Sequence, residues 1–204
     1  MSDIRVYNPL DKQNLGTSVM DAMLEDAARP LESLAEFEGA GIYAIYYAGD
    51  FPAYAALSAR NRDGRLDMPI YVGKAVPAGA RKGDIGLNLP MGKALYKRLA
   101  EHRESLRSAE NLSAEDFHCR FLVVDDIWIP LAESLLIARF APVWNKIVDG
   151  FGNHDPGKGR YEGVCPRWDV LHPGRGWAAR CKPRAETAQT IQSEVTQYLS
   201  NTIV

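Results

Sequence analysis

No stretch of the 204-residue chain approaches the roughly 18 consecutive apolar residues of a membrane span. The opening MSDIRVYNPLDKQNLG has neither the basic start nor the apolar core of a secretory signal, so a cytoplasmic protein is expected. Cysteine is scarce: Cys119, Cys165 and Cys181 are an odd number without close pairing, which argues against a disulfide framework and suits a reducing compartment. The C-x₂₋₄-C knuckle of a structural zinc site is also missing. Cys165, His172 and Cys181 could still meet on a zinc ion, but buried or idle thiols are the better expectation. Internal repeats are absent. Net charge is only −2, so no overall basic excess announces a polyanionic partner.

What is present is ordinary in amount and uneven in place. A hydrophobic fraction of 46% and a charged fraction of 25% fit a folded globular chain with room for one domain. Residues 1–38 hold three Lys/Arg against eight Asp/Glu, whereas residues 71–107 hold eight against three and residues 158–184 seven against two. Phosphate binding needs local rather than total charge. The two basic segments could form one face or two unrelated solvated surfaces.

Residues 18–30, SVMDAMLEDAARP, place Val19, Met23 and Ala27 at helical spacing and stop at Pro30, and PLESLAEF can continue as a shorter helix. Apolar residues on both faces of 41–48 predict a central strand. Between Gly49 and Pro69 the composition predicts an inserted loop with one helical turn. A second strand is expected at PIYVGKA (69–75), a helix at 93–108, a third strand at 117–124 and a helix at 130–140 closed by Pro142. Residues 149–184 show no sustained period, yet Tyr161, Trp168 and Trp177 predict an ordered excursion packed on the core. Ile191, Val195 and Leu199, four apart, predict a final helix at 185–200. The fold class is α+β, a small and mainly antiparallel sheet with helices around it.

Two predicted helices carry polar residues on apolar faces. In 93–108, His102 falls within the stripe of Leu95, Leu99 and Leu106, and Arg98 lies one turn earlier on its edge. A histidine there is more often a satisfied core residue than a catalyst, but a buried guanidinium needs an anion, either carboxylate or phosphate. Glu133 lies between Ile137 and Phe140 on the face of 130–140 that should be buried. It must be paired, protonated or bound to a metal, and an ion pair with Arg98 is the plain structural expectation.

GIY at 41–43, YVG at 71–73, Arg98 on the following helix and ESLLIARFAPVWN from Glu133 to Asn145 together resemble the GIY-YIG nuclease superfamily, over about residues 39–147. The 27 residues between the two tyrosines look like an insertion relative to compact members. His102 and the tail RWDVLHPGRGWAARCKPR are similar to the Type II restriction endonuclease branch. The resemblance implies a three-stranded GIY-YIG sheet flanked by helices. It divides the chain into an N-terminal helical segment (1–38), a nuclease core (39–147, with 49–69 inserted) and a C-terminal DNA-recognition extension (148–204) packed on the core as one domain. It also implies a homodimer that uses Mg²⁺ or Mn²⁺ to hydrolyse double-stranded DNA at a short GC-rich palindrome, with a cognate DNA methyltransferase as a possible partner on the same site.

On that reading Glu133 holds the metal and Arg98 pairs with the scissile phosphate. Tyr43 or His102 accepts the proton of the attacking water. The hydroxyl of an ordinary tyrosine titrates near ~10 and imidazole near ~6.5, so the choice of base stays open. Tyr71 would orient water or phosphate, Lys74 would bind phosphate or lower the Tyr43 pKa, and Asn145 would position the site. DNA contacts are expected from Arg60, Arg62 and Arg65 in the insertion, from Arg81 and Lys82, and from Arg167, Arg175, Arg180 and Arg184 in the tail, reading guanine or gripping phosphate. Two other readings are a repair or homing nuclease of the same superfamily and a non-catalytic DNA-binding protein. Glu133→Ala separates the last from the enzymes.

Overall fold

In the computed structural model, residues 8–77, 92–157 and 161–203 are described. Arg81 and Lys82 lie outside them. Helix α1 (Lys12–Glu25) begins earlier than its apolar spacing suggests because Asp11 caps it, its carboxylate accepting from Gln13 N at 2.9 Å. It also ends before Pro30. Arg29–Pro30 instead forms a two-residue strand, β1, on the sheet edge, where a proline costs no ladder bond. The helix expected from PLESLAEF is absent: Leu31 donates its N–H to Phe117 O at 2.9 Å, and Leu31 and Leu34 drop into the core as extended-chain anchors.

Strands β2 (Gly41–Tyr47), β3 (Tyr71–Ala75) and β4 (Phe117–Val123) complete an antiparallel sheet of order β1-β4-β2-β3, one short strand more than expected. All seven residues of β2 are buried, which explains why its sequence is apolar on both faces. Gly41 opens that strand because a Cβ there would lie 2.0 Å from Leu122 O on β4. Its alternate side chains enter two cores. Ile42, Ala44 and Tyr46 pack with Met23 of α1 and with Ile129, Ala132 and Leu136 of α4 (Ile129–Phe140). Tyr43, Ile45 and Tyr47 face Leu95, Leu99 and Leu106 of α3 (Ala94–Ser108), together with Trp144 on the short α5 (Val143–Lys146).

The segment between β2 and β3 is more regular than expected. A 3₁₀ turn (Pro52–Tyr54) leads into α2 (Ala55–Asn61). Asn61 ties the return: its amide donates to Tyr47 O and Met68 O at 2.9 and 2.8 Å, and its carbonyl oxygen accepts from Met68 N at 3.0 Å. Three side-chain bonds thus replace the ladder that an irregular segment lacks. The tail folds back as an ordered excursion through α6 (Arg167–Leu171) to α7 (Ala188–Thr202). Trp168 is fully buried, and Ile191, Val195 and Leu199 join the Tyr43 side of the core. No described helix is long and apolar enough to cross a membrane.

Candidate active site

The antiparallel register sets Tyr43 opposite Gly73. A Cβ at residue 73 would sit 2.4 Å from the Tyr43 hydroxyl, so the glycine of the second tripeptide is the space that the tyrosine of the first occupies. Tyr71 lies on the same face with its ring centre 6.2 Å from that of Tyr43. His102, one turn along α3 from Arg98, completes the group: its Nε2 is 2.6 Å from Tyr43 Oη. Phe151 from the tail stacks on the back of the imidazole at 4.5 Å and 15°.

Burial is the largest influence on this pair. It pushes the Tyr43 hydroxyl well above the ordinary phenol range, with Tyr71 acting the same way and Arg98 opposing. It pushes His102 well below 6.5, reinforced by the positive charge of Arg98. A free imidazole titrating near neutrality, as the sequence alone suggests, is therefore not what the fold makes. Both partners are neutral at rest. Tyr71 is raised too, burial again leading.

Arg98 reaches over these rings. Its Nη2 donates to Gly152 O at 2.7 Å and its Nη1 to Glu101 Oε2 at 2.9 Å, and Nη1 also meets the His154 imidazole. Glu133 is only partly buried, and its partner is Lys74 at 2.7 Å rather than Arg98. The reason is topological. Period-two alternation puts Lys74 on the α4 face of β3 and Tyr43 on the α3 face, so the two ion-pairing groups meet at the open edge of the sheet. Lys74 is thereby engaged by Glu133, and Arg98 is the cation acting on Tyr43. Asn145 fixes the edge strand itself, its Oδ1 accepting from Val72 N and its Nδ2 donating to Val72 O, both at 2.8 Å.

Around that edge lies a cleft of about 810 Å³, into which Tyr43, Tyr71, Lys74, Arg98 and Glu133 all open. His102 stands behind Tyr43. The further lining residues include Lys93, Lys97, Glu101, Gly152 and His154, which the sequence reading does not single out. Lys93 and Lys97 carry a readable signal, since basic residues four apart and next to Arg98 share one helix face. Gly152 and His154 carry none, because only the folded-back tail brings them to the cleft.

Among the described residues no three His, Cys, Asp or Glu side chains converge, so neither a zinc cage nor the Cys165–His172–Cys181 grouping forms. His172 is buried and bonded to Tyr54 and Asn111. Glu133 does fit a hard divalent cation that keeps most of its water and takes its remaining oxygens from substrate.

The arginines separate by burial. Arg175 is 5% exposed, and its five N–H donors go to Asp169 Oδ1 and Oδ2 and to the carbonyls of Gly150, Phe151 and Asn153. This corrects its expected place among the DNA contacts, since no donor remains for a base. Arg167 binds Ile147 O, Glu186 and Glu194, and Arg184 binds Cys165 O and Glu186, so both staple the tail to the start of α7. Arg60, Arg62, Arg65 and Arg180 are more exposed, in surface pairs with Asp67, Asp50, the carbonyls of Ala59 and Arg62, and Asp155 respectively. None of these described arginines lines the cleft.

A family model, the Eco29kI GIY-YIG domain, matches residues 35–199, from just before β2 almost to the end of α7. The chain belongs to this GIY-YIG nuclease family. Comparison with curated proteins gives no match. Membership in a family of Type II restriction endonucleases makes the chain a nuclease acting on DNA, and GIY-YIG nucleases are generally dependent on a divalent metal. The match includes the tail as well as the sheet, so Phe151 and Gly152 lie within the family's domain.

Proposed function

We propose that this GIY-YIG nuclease is a Type II restriction endonuclease that hydrolyses both strands of DNA at a short, GC-rich palindrome. The observation that carries the reading is the buried Tyr43–His102 hydrogen bond of 2.6 Å opening onto a cleft that also holds Arg98 and Glu133. Phosphodiester hydrolysis needs a deprotonated in-line water, charge stabilisation at phosphorus and a stabilised leaving oxygen. Arg98 supplies the second requirement by turning its fork from Glu101 to the scissile phosphate.

For the first, the burial of Tyr43 disfavours a standing tyrosinate. The proton instead passes through the pair: Tyr43 Oη accepts from the water while its own proton moves to His102 Nε2. Substrate assists this. Arg98 helps to hold His102 in the neutral form, and a phosphate that neutralises Arg98 lifts that restraint. Tyr71 orients the water or phosphate, Lys74 moves from Glu133 to phosphate, and Asn145 keeps β3 in register with β2. Glu133 would hold a magnesium ion, which when bound would supply Lewis-acid stabilisation of the leaving oxygen.

One chain has one such group, so cutting both strands calls for a C₂ dimer on a palindrome. Arg60, Arg62, Arg65 and Arg180, with Arg81 and Lys82, are the proposed base and phosphate contacts, and a methyltransferase of the same specificity would protect host DNA. The test is digestion of a sequenced plasmid with Mg²⁺, beside an EDTA control and Glu133→Ala. Discrete, metal-dependent fragments mapping to one short palindrome, lost in the variant, support the reading. Nicking without sequence preference moves the protein to a repair-type role, and cutting by Glu133→Ala removes the metal assignment.

A further inference from the structure

The tail contributes more to the cleft than a cover. We propose that residues 150–154, clamped from behind by the buried Arg175–Asp169 pair, are the positioning segment of the active site, setting Arg98, Tyr71 and His102 from one short stretch of backbone. The inference rests on the assignment of the cleft as the catalytic site.

Contacts run forward from the segment to the reacting groups. Gly152 O accepts from Arg98 Nη2 at 2.7 Å, so a main-chain carbonyl fixes where the guanidinium fork starts. Phe151 lies flat on His102 and fixes the plane of the imidazole against Tyr43. Gly152 also leaves room that any side chain would take: a Cβ there would lie 2.7 Å from Tyr71 Oη and 3.3 Å from Arg98 Nη2. Three contacts run backward. Arg175 donates to the carbonyls of Gly150, Phe151 and Asn153 at 2.9 to 3.1 Å, while Asp169 holds the same guanidinium at 2.6 and 2.7 Å. Arg175 also lies over the Trp168 ring at 4.5 Å. A carbonyl array gripped by a charged, planar, fully used donor cannot slide without breaking charge-assisted bonds. The segment therefore transmits the geometry of the packed tail to the reacting groups.

Two variants test this, Gly152→Ala and Arg175→Lys. Gly152 has ordinary backbone angles, so alanine adds only the contacts with Tyr71 and Arg98. Lysine at 175 retains charge beside Asp169 but cannot serve the three carbonyls. Single-turnover cleavage of a cognate duplex, its Kd measured without metal and the melting temperature are compared with wild type, with Glu133→Ala in parallel. Gly152→Ala is expected to cut roughly 100-fold more slowly, the loss that about an ångström of misplacement causes. Its Kd and melting temperature should stay at wild-type values, and Arg175→Lys should show a smaller loss of the same kind. Wild-type cutting by Gly152→Ala overturns the proposal, as does a loss of rate that merely follows a loss of stability in both variants. If Glu133→Ala also cuts normally, the catalytic assignment of the cleft falls first and the positioning role falls with it.

Discussion

Among the described residues two buried tyrosine–histidine pairs are hydrogen-bonded. Tyr43 and His102 meet at 2.6 Å, Tyr54 and His172 at 2.7 Å, and burial holds each hydroxyl above and each imidazole below its ordinary range. Their surroundings differ. The second pair is a closed chain: Trp144 Nε1 donates to Tyr54 Oη at 2.7 Å, Tyr54 donates to His172 Nε2, and His172 Nδ1 donates to Asn111 Oδ1 at 2.9 Å. Asn111 then donates to Leu171 O, and the rings of Phe51, Trp144 and Trp168 pack around the imidazole. Such a network joins the inserted segment, α5, α6 and the chain after α3, and it has no face on the cleft. In the first pair Tyr43 is a cleft wall, and the Arg98 charge lies close enough to act on both partners. The same chemical pair is a rivet where every valence is closed, and where one end opens beside a cation it is the pair through which we propose the proton passes.

The largest contrast is expected from the histidines. His102→Gln should lower the single-turnover cleavage rate by roughly 100- to 10,000-fold, the range of a lost proton acceptor. His172→Gln should leave the rate within a few-fold but lower stability by about 1–3 kcal/mol, read from urea unfolding, because it disrupts satisfied buried bonds. Equal losses of activity in the two variants would erase the distinction.

A second contrast is in acid. His172 is held down at about 3 in the folded state against 6.5 when exposed. Between those values the unfolded chain binds the proton that the folded chain refuses, so stability present above pH 6.5 is lost as pH falls toward 3. Melting temperature against pH should show that slope, and His172→Gln and His102→Gln should each make it shallower. A variant with the wild-type slope would mean that its histidine does not stay neutral in the fold.

The smallest effects belong to surface charge. Lys97→Ala, on the cleft wall, should weaken DNA binding about equally for all sequences and reduce the salt slope by roughly one. Arg65→Ala should change affinity in a sequence-dependent manner if it reads a base. Anisotropy titrations at several salt concentrations distinguish the two.

These contrasts also mark what could be read from the chain alone. The strands at 41–47, 71–75 and 117–123 and the helix with His102 in its apolar stripe follow from local patterning, whereas a site shared by Tyr43, Arg98, His102 and Glu133 is implied only by the resemblance to the GIY-YIG superfamily and its Type II branch. The partner of Glu133 does not follow, since which face of β3 carries Lys74 depends on register. Nor does the use of Arg175: its five acceptors, the two Asp169 carboxylate oxygens and the carbonyls of Gly150, Phe151 and Asn153, come together only once the tail has folded. His172, a candidate metal ligand by sequence, is half of a rivet because Tyr54, in the inserted loop expected to hold one helical turn, lies in a 3₁₀ turn that delivers its hydroxyl to the core.

The most direct test is single-turnover cleavage of one cognate duplex by Tyr43→Phe and Tyr54→Phe side by side, each substitution removing one hydroxyl. The predicted result is a loss of two orders of magnitude or more for Tyr43→Phe and a near wild-type rate, with reduced stability, for Tyr54→Phe. A Tyr43→Phe enzyme that cuts at the wild-type rate would contradict the relay through His102.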